Sequence, residues 1–221
     1  MVERKLIIFG AGDLGREIMY AALVGKSDTA NGFWKPIAFI VDNDESAIGK
    51  IVENIKVISL EQASEVKDDN TYFILGVGDS IARKKLNENL LNHIPEARFA
   101  TIIHPSVVIM PNTTIESGVF IAPNTTIAIG CYIKQHVVVN QNVSVGHDCV
   151  IEDFSVISPG CILSGRTRIG KATFMGSGAI TYPRVEIGDN CVVSACTVVA
   201  RNLKSGNKQI LKPNTMTIPS E

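Results

Sequence analysis

From Ile103 to Val199 a large aliphatic residue recurs at every sixth position: Ile103, Ile109, Ile115, Ile121, Ile127, Ile133, Val139, Val145, Ile151, Ile157, Leu163, Ile169, Met175, then Thr181, Ile187, Val193 and Val199. Only Thr181 breaks the series. Four residues after each stands a small or β-branched residue, from Val107 through Cys131, Cys149 and Thr167 to Thr197. A period of six belongs neither to a helix nor to a simple alternating strand. It predicts a solenoid in which each hexapeptide is a short strand plus a corner, turning one large and one small residue inward. Six residues have no core of their own, so each rung must stack on its neighbours, and a narrow interior leaves room for only one large side chain per rung.

The first stretch, residues 1–100, follows another pattern. Leu6–Phe9 predicts a strand that runs into GAGDLG, where Gly10, Gly12 and Gly15 form G-x-G-x-x-G ahead of a helix from about Arg16 to Leu23, stopped near Gly25. A second strand is expected at Ile37–Val41, closed by Asp42, Asn43 and Asp44, and a third at Tyr72–Val77, closed by Gly78-Asp79-Ser80. A polar helix from Ile81 to about His93 follows, and the segment between the second and third strands is weakly patterned. This order, βαβ then βα, predicts a small parallel sheet with glycines and carboxylates at the strand ends where open α/β sheets bind ligands. The glycines would let backbone N–H groups approach a pyrophosphate, and Asp42 would accept from ribose or base donors. A structural βαβ unit with an incidental glycine loop is the plain alternative. So short a domain supplies little more than one mononucleotide-binding half, which favours a nucleotide-type ligand over NAD. Ala97–Pro105 leads into the solenoid domain, 101–221, without a Pro/Ser-rich linker, so the two domains are expected to pack closely.

Composition adds exclusions. The 221 residues carry 21 basic and 22 acidic side chains, a balance that favours neither nucleic acid nor an anionic membrane. No apolar run approaches the roughly 20 residues a membrane helix needs, so no membrane insertion is expected. MVERKLIIFG lacks a secretory h-region, and the expected location is cytoplasmic. Of Cys131, Cys149, Cys161, Cys191 and Cys196, the first four fall at the small inward position, and no C-x-x-C occurs. They read as reduced packing residues rather than a disulfide or zinc framework.

An interior of aliphatic rungs offers no catalytic group, so chemistry must come from outward corners. The outward histidines are His136 and His147, with His104 where the solenoid begins. His147 stands beside Asp148 in NQNVSVGHDCVIEDF, near Asn140 and Asn142, as suits a general base held in one tautomer; a solvated corner histidine is the plain alternative. His136 and His147 are out of phase on the rungs, which argues against a stacked three-histidine metal site, and no metal is expected.

The runs FATIIHPSVVI, VNQNVSVGHDCVIEDF, PGCILSG, IGKATFMGSGAI and IGDNCVVSACTVV resemble the sialic acid O-acetyltransferase and UDP-4-amino-sugar N-acetyltransferase family (NeuD/PglD-like). The resemblance extends to IIFGAGDLG, FWKPIAFIVDND and ILGVGDSIARKKL, so it covers almost the whole chain. It implies a Rossmann-like sugar-nucleotide domain followed by a left-handed parallel β-helix, assembled as a homotrimer and using acetyl-CoA as cosubstrate. It implies that His147 is the general base, that Asp148 orients it, and that Asn140 lines an acceptor cleft between subunits. Gly165 would present a backbone N–H to the oxyanion, and Ser177 and Ala195 would contact the CoA arm. Gly12, Asp13 and Leu14, then Asp42 and Asn43, then Asp79, would hold the nucleotide or sugar.

The chain departs from the resemblance at two places. Family members carry a second histidine nine residues after the base, on the thioester carbonyl, where this chain has Val156, placed by the resemblance beside the cosubstrate. A tail of the Gly-x-Pro-Ala type appears here with Leu211 and Asn214 in place of glycine and alanine, and keeps Pro213. The expected function is an acyl-CoA-dependent N- or O-acetyltransferase acting by direct attack on a nucleotide-linked amino sugar or a sialic-acid-like nonulosonate. The rival is a catalytically impaired sugar-binding or assembly partner in surface-polysaccharide biosynthesis. An NAD-linked enzyme is the third.

Overall fold

The computed structural model describes residues 3–25, 33–41 and 44–210. β1 (Glu3–Phe9) leads into α1 (Asp13–Val24), then β2 (Phe33–Ile40), β3 (Ile51–Val52), β4 (Ile55–Ile58), α2 (Leu60–Val66), β5 (Thr71–Leu75) and α3 (Ser80–His93). The strands form one sheet in the order β3-β4-β2-β1-β5, parallel except for β3. From β1 the chain builds outward to β2 and β4, then crosses back to place β5 on the other side of β1. The topological switch therefore lies between β1 and β5, where an open α/β sheet has its ligand crevice.

Several elements differ from expectation, each for a local reason. α1 begins at Asp13 rather than near Arg16, because extended Gly12 serves as its N-cap. β2 begins at Phe33 rather than Ile37; Pro36 is accommodated by a register shift against β1, since it brings no N–H to the ladder. The weakly patterned segment holds a hairpin and a helix. Glu53 and Asn54, both at positive φ, form the two-residue turn between β3 and β4, and Ser59 with Gln62 makes a capping box for α2. β4 is only IKVI, too short for its periodicity to stand out.

The solenoid begins with the strand Ile102–Ile103. Thr126 pairs with Ser144 and Ser144 with Ile162, all parallel, so one coil takes eighteen residues and three hexapeptides. The two-residue strands sort into sheets of seven, six and five. The seven-strand sheet, which includes Val138–Val139 and Val156–Ile157, is the docked face; the six-strand sheet, with Ser144–Val145 and Ile162–Leu163, is the open face; the five-strand sheet, with Val150–Ile151, is the third face. The prism is a left-handed parallel β-helix, as the family resemblance implied. Its corners repeat one device: from Asn112 to Cys196 every sixth residue has positive φ, in the left-handed region. Glycine or asparagine meets this easily, whereas Asp148, Phe154 and Arg166 are held there by the stacking of whole coils.

The two inward series make up the core. Ile121, Ile127, Ile133, Val139, Val145, Ile151, Ile157 and Leu163 are buried together with Cys131, Cys149, Cys161 and Cys191, while Cys196 is exposed at a corner. Each buried aliphatic contributes roughly 1.5–3 kcal/mol through burial. A second apolar cluster joins the domains: Leu6, Ile8, Ile18 and Met19 pack with Phe120, Val138 and Val156 of the docked face. Arg83 of α3 completes the seam. Fully buried, it donates to the carbonyls of Leu75 (2.9 Å), Val77 (2.8 Å) and, across the domain boundary, His136 (2.8 and 3.2 Å).

His136 is outward, as the repeat predicts, without being exposed. It turns out of the prism but beneath the first domain, 2% exposed, with Phe99 edge-on at 4.5 Å and Phe154 stacked at 4.9 Å. Its corner joins the third and docked faces, the edge that the first domain covers.

Candidate active site on the edges of the solenoid

The corner Gly146-His147-Asp148 joins the open face to the third face. Asp148 sits at φ +57, and its carboxylate reaches back to His147, Oδ2 lying 2.9 Å from Nδ1. Arg166, one coil on, lies 3.6 Å from the same oxygen. The hydrogen bond from His147, reinforced by the charges of His147 and Arg166, holds the Asp148 carboxyl below the usual carboxylate range. An ionised acceptor on Nδ1 keeps the proton there and leaves Nε2 as the basic nitrogen. Both side chains are about half exposed.

Two glycines bring this corner down onto the next coil. A Cβ on Gly146 would meet the Gly165 amide nitrogen at 2.7 Å, and a Cβ on Gly165 would overlap the His147 ring. The histidine therefore rests on bare backbone at Gly165, so His147, Asp148 and Gly165 lie together.

The other solenoid residues lie elsewhere on the chain. Asn140, Ser177 and Ala195 occupy corners between the docked and open faces, one edge away from His147. Ser177 and Ala195 are exposed at the same corner position of successive coils, and their neighbours Gly176, Gly178 and Ser194 are equally small. This leaves a run of small residues along that edge, Ser177 and Ala195 being exposed.

Val156 does not belong to either edge. It is 1% exposed and packs among Leu6, Ile18, Phe120 and Val138 in the domain seam. Nine residues beyond His147 the chain has rounded a further corner onto the docked face, so this side chain is not offered to a cosubstrate. The expected place for Val156 beside the thioester is corrected on that ground.

In the first domain, Gly12, Asp13 and Leu14 follow β1 and Asp79 follows β5, flanking the switch point. Asp79 also caps α3, its Oδ1 accepting from the Ala82 amide at 2.7 Å, so part of its carboxylate has a structural task. Asp42, Asn43 and the tail positions Leu211, Pro213 and Asn214 lie outside the described residues. A cavity of about 700 Å³ runs between α1 and the docked–open edge, lined in part by Asp13, Arg16, Tyr20, His104, Asn124 and Asn142. Arg16 is held there by Glu53 at 2.6 Å and Asp13 at 3.5 Å. Arg16 and Tyr20 escaped the reading of the sequence; their only signal was the helical spacing from Asp13, which places them on one face of α1. Among the described residues no group of three or more His, Cys, Asp or Glu side chains is placed to hold a metal, and no helix is long and apolar enough to cross a membrane.

A left-handed β-helix with a carboxylate-oriented histidine on an outward corner, behind a Rossmann-like domain, defines an acyltransferase of the hexapeptide-repeat class. Residues 5–90 match the family described as the PglD N-terminal domain, and residues 98–214 match that described as the GMPPB C-terminal domain. The chain belongs to the NeuD/PglD-like family of sugar acetyltransferases. GDP-perosamine N-acetyltransferase of Escherichia coli O157:H7 is 29% identical over 173 residues, 78% of this chain and 76% of that protein. The acetyltransferase domain of PglB from Neisseria gonorrhoeae FA1090, solved with acetyl coenzyme A, is 25% identical with a TM-score of 0.81, covering 94% of this chain and 96% of that one. PerB from Caulobacter crescentus, solved with CoA and GDP-perosamine, shares the fold at 23% identity and a TM-score of 0.79, over 93% of this chain and 92% of that one.

Proposed function

We propose that this protein transfers the acetyl group of acetyl-CoA to the amino group of a nucleotide-linked amino sugar, with His147 as general base, at a site formed between neighbouring subunits of a trimer. The observation that carries the reading is the His147–Asp148 pair at 2.9 Å, set over the bare backbone of Gly165. Bound acetyl-CoA supplies an activated thioester carbonyl. His147 Nε2 takes the proton that the attacking amine sheds, and Asp148 stabilises the imidazolium that forms. The imidazolium then returns the proton to the departing sulfur. The Gly165 amide, beneath Gly146 and the imidazole, is the donor assigned to the developing oxyanion.

The positions of the edges support a trimer. The open face is flanked by both of them, His147 on one side and Asn140, Ser177 and Ala195 on the other. Turning the open faces of three prisms toward a common axis sets the His147 edge of one subunit against the Asn140 edge of the next. That face carries the exposed apolar residues Val108, Ile162 and Val198, with the exposed Ser144 among them. Gly12, Asp13, Leu14 and Asp79 serve the nucleotide, a task the family resemblance gives also to Asp42 and Asn43. An amine acceptor on a nucleotide is preferred to a nonulosonate hydroxyl because the E. coli relative, matched over 78% of this chain, bears the name of an N-acetyltransferase for a GDP-linked sugar. The rival reading as a non-catalytic partner leaned on Val156, which the domain seam accounts for, and on the altered tail, which lies outside the described residues.

The test is CoA-thiol release from acetyl-CoA with a panel of GDP-, UDP- and dTDP-linked 4-amino sugars, beside light scattering at micromolar protein. Turnover of one sugar by a trimer is expected, and His147→Ala should lower kcat by roughly 10²–10⁴. A trimer that turns over none of the panel removes the function. A monomer removes the shared site, and a His147→Ala variant at the parent rate removes the base.

A further inference from the structure

Thr181 is the one residue of the large inward series that is not apolar, and it is completely buried. Burying a hydroxyl is unfavourable unless it is hydrogen-bonded. Here it is bonded in an unusual way. Thr181 Oγ1 accepts from the Ser164 amide at 3.0 Å and lies 2.8 Å from Thr167 Oγ1, which donates to the Ser164 carbonyl at 2.7 Å. The donors and acceptors close into a ring: Ser164 N–H to Thr181, Thr181 O–H to Thr167, Thr167 O–H to Ser164 C=O. One residue of main chain is gripped at both its polar groups. The same carbonyl also accepts from Cys149 Sγ at 3.3 Å, next in sequence to Asp148.

The comparison with neighbouring coils on this edge isolates what the hydroxyl does. The amides of Met110, Ala128, Gly146 and Tyr182 donate to the main-chain carbonyls of Ile127, Val145, Leu163 and Val199, at 2.9, 2.9, 2.7 and 2.9 Å. The equivalent amide of Ser164 donates to the Thr181 side chain instead. At this one coil a side chain stands in for the carbonyl of the ladder, and the residue it holds immediately precedes Gly165, on which the His147 imidazole rests. We propose that Thr181 is a positioning residue, its hydroxyl setting the corner 164–166 so that Gly165 supports His147 and presents its amide to the reacting carbonyl. The inference rests on the reading of the His147 corner as the catalytic site.

Valine has nearly the shape of threonine, and the same inward series already uses it at Val139, Val145, Val193 and Val199. Thr181→Val therefore suits the core, and would let the Ser164 amide return to the ladder. The expected result is a melting temperature equal to or above that of the parent, with kcat lower by about tenfold or more and both KM values within about twofold, because a small displacement of catalytic groups is costly in rate. Thr181→Ser, which keeps the hydroxyl, should recover most of kcat. A hydroxyl with only a structural task would give the opposite split, a lower melting temperature with kcat per folded trimer unchanged. Parent-like kcat in Thr181→Val overturns the proposal. So does a crystal structure of Thr181→Val in which the corner 164–166 keeps its place, a readout that holds even if the parent acetylates no sugar in the panel and the function itself falls.

Discussion

The imidazole of His147 lies against the α-carbon of Gly165, one coil further along, so closely that a methyl group there would occupy the space of Nε2. Gly165 is not among the positive-φ residues, so alanine meets no backbone strain at this position. The half-exposed histidine, not the core, is what must give way. Gly165→Ala is expected to fold and melt like the parent while kcat falls by about 10- to 10²-fold. Steady-state kinetics beside a melting curve decides the matter, and a variant with parent kcat would mean that the base does not work from this position.

His136 makes a different kind of contribution. Burial first, and the nearby Arg83 charge second, push its pKa down to about 4 from an ordinary 6.5. Below about pH 6.5 the unfolded chain takes up a proton that the folded chain refuses until about pH 4, so stability falls as pH drops through that window. The full effect is about 3 kcal/mol. Phe154, stacked on His136 at the next coil with the same positive φ, shows that phenylalanine is accommodated at such a corner. Melting temperatures from pH 7 to 4 should decline less steeply in His136→Phe than in the parent, and identical slopes would reject the assignment.

Val156 offers a direct contrast between family resemblance and packing. A histidine introduced there enters the apolar seam between the domains without a partner, a burial that costs about 1–3 kcal/mol. Val156→His is therefore expected to melt lower and to gain nothing in kcat/KM for acetyl-CoA. A rise in kcat/KM at unchanged stability would restore the cosubstrate role.

Arg83 tests the same seam from the polar side. Among the described residues its guanidinium bonds run to main-chain carbonyls alone, on both sides of the domain boundary. Methionine would fill its volume but leave those carbonyls buried and unpaired, a loss of about 3 kcal/mol in denaturant unfolding. Lysine should recover little, since one ammonium cannot reproduce the planar fork. Parent-like unfolding of Arg83→Met would show that the carbonyls find other partners.

The prism was legible in the sequence because each inward position must be filled at every rung, which leaves the period visible whatever lies outside. The His147–Asp148 pair was legible because an aliphatic interior leaves chemistry to the outward corners, where histidines are few and this one has a carboxylate beside it. What the period did not reveal is which outward positions are covered. Phe120, Val138 and Val156 resemble any β-branched or aromatic strand residues, yet they carry the first domain, and His136 goes under with them. Nor did it reveal that Thr181, seemingly a lapse in the aliphatic series, holds Ser164. That bond depends on Thr167, fourteen residues away in sequence and adjacent only after a coil has closed. The β3–β4 hairpin was missed because two- and four-residue strands have too few positions to show alternation.

The eighteen-residue coil places unequal constraints on chain length. An insertion of six residues would leave every large residue inward and every corner at a turn, and the prism would still build. But six residues added after Asp148 would carry Ser177 and Ala195 around to the edge that already holds His147, away from the Asn140 edge that the proposed trimer sets against it. Folding tolerates change in units of one rung, whereas the site proposed between subunits tolerates it only in whole coils. A lineage of such proteins would therefore be expected to lengthen or shorten by threes of hexapeptides, with intermediate lengths surviving as well-folded proteins that have lost their chemistry.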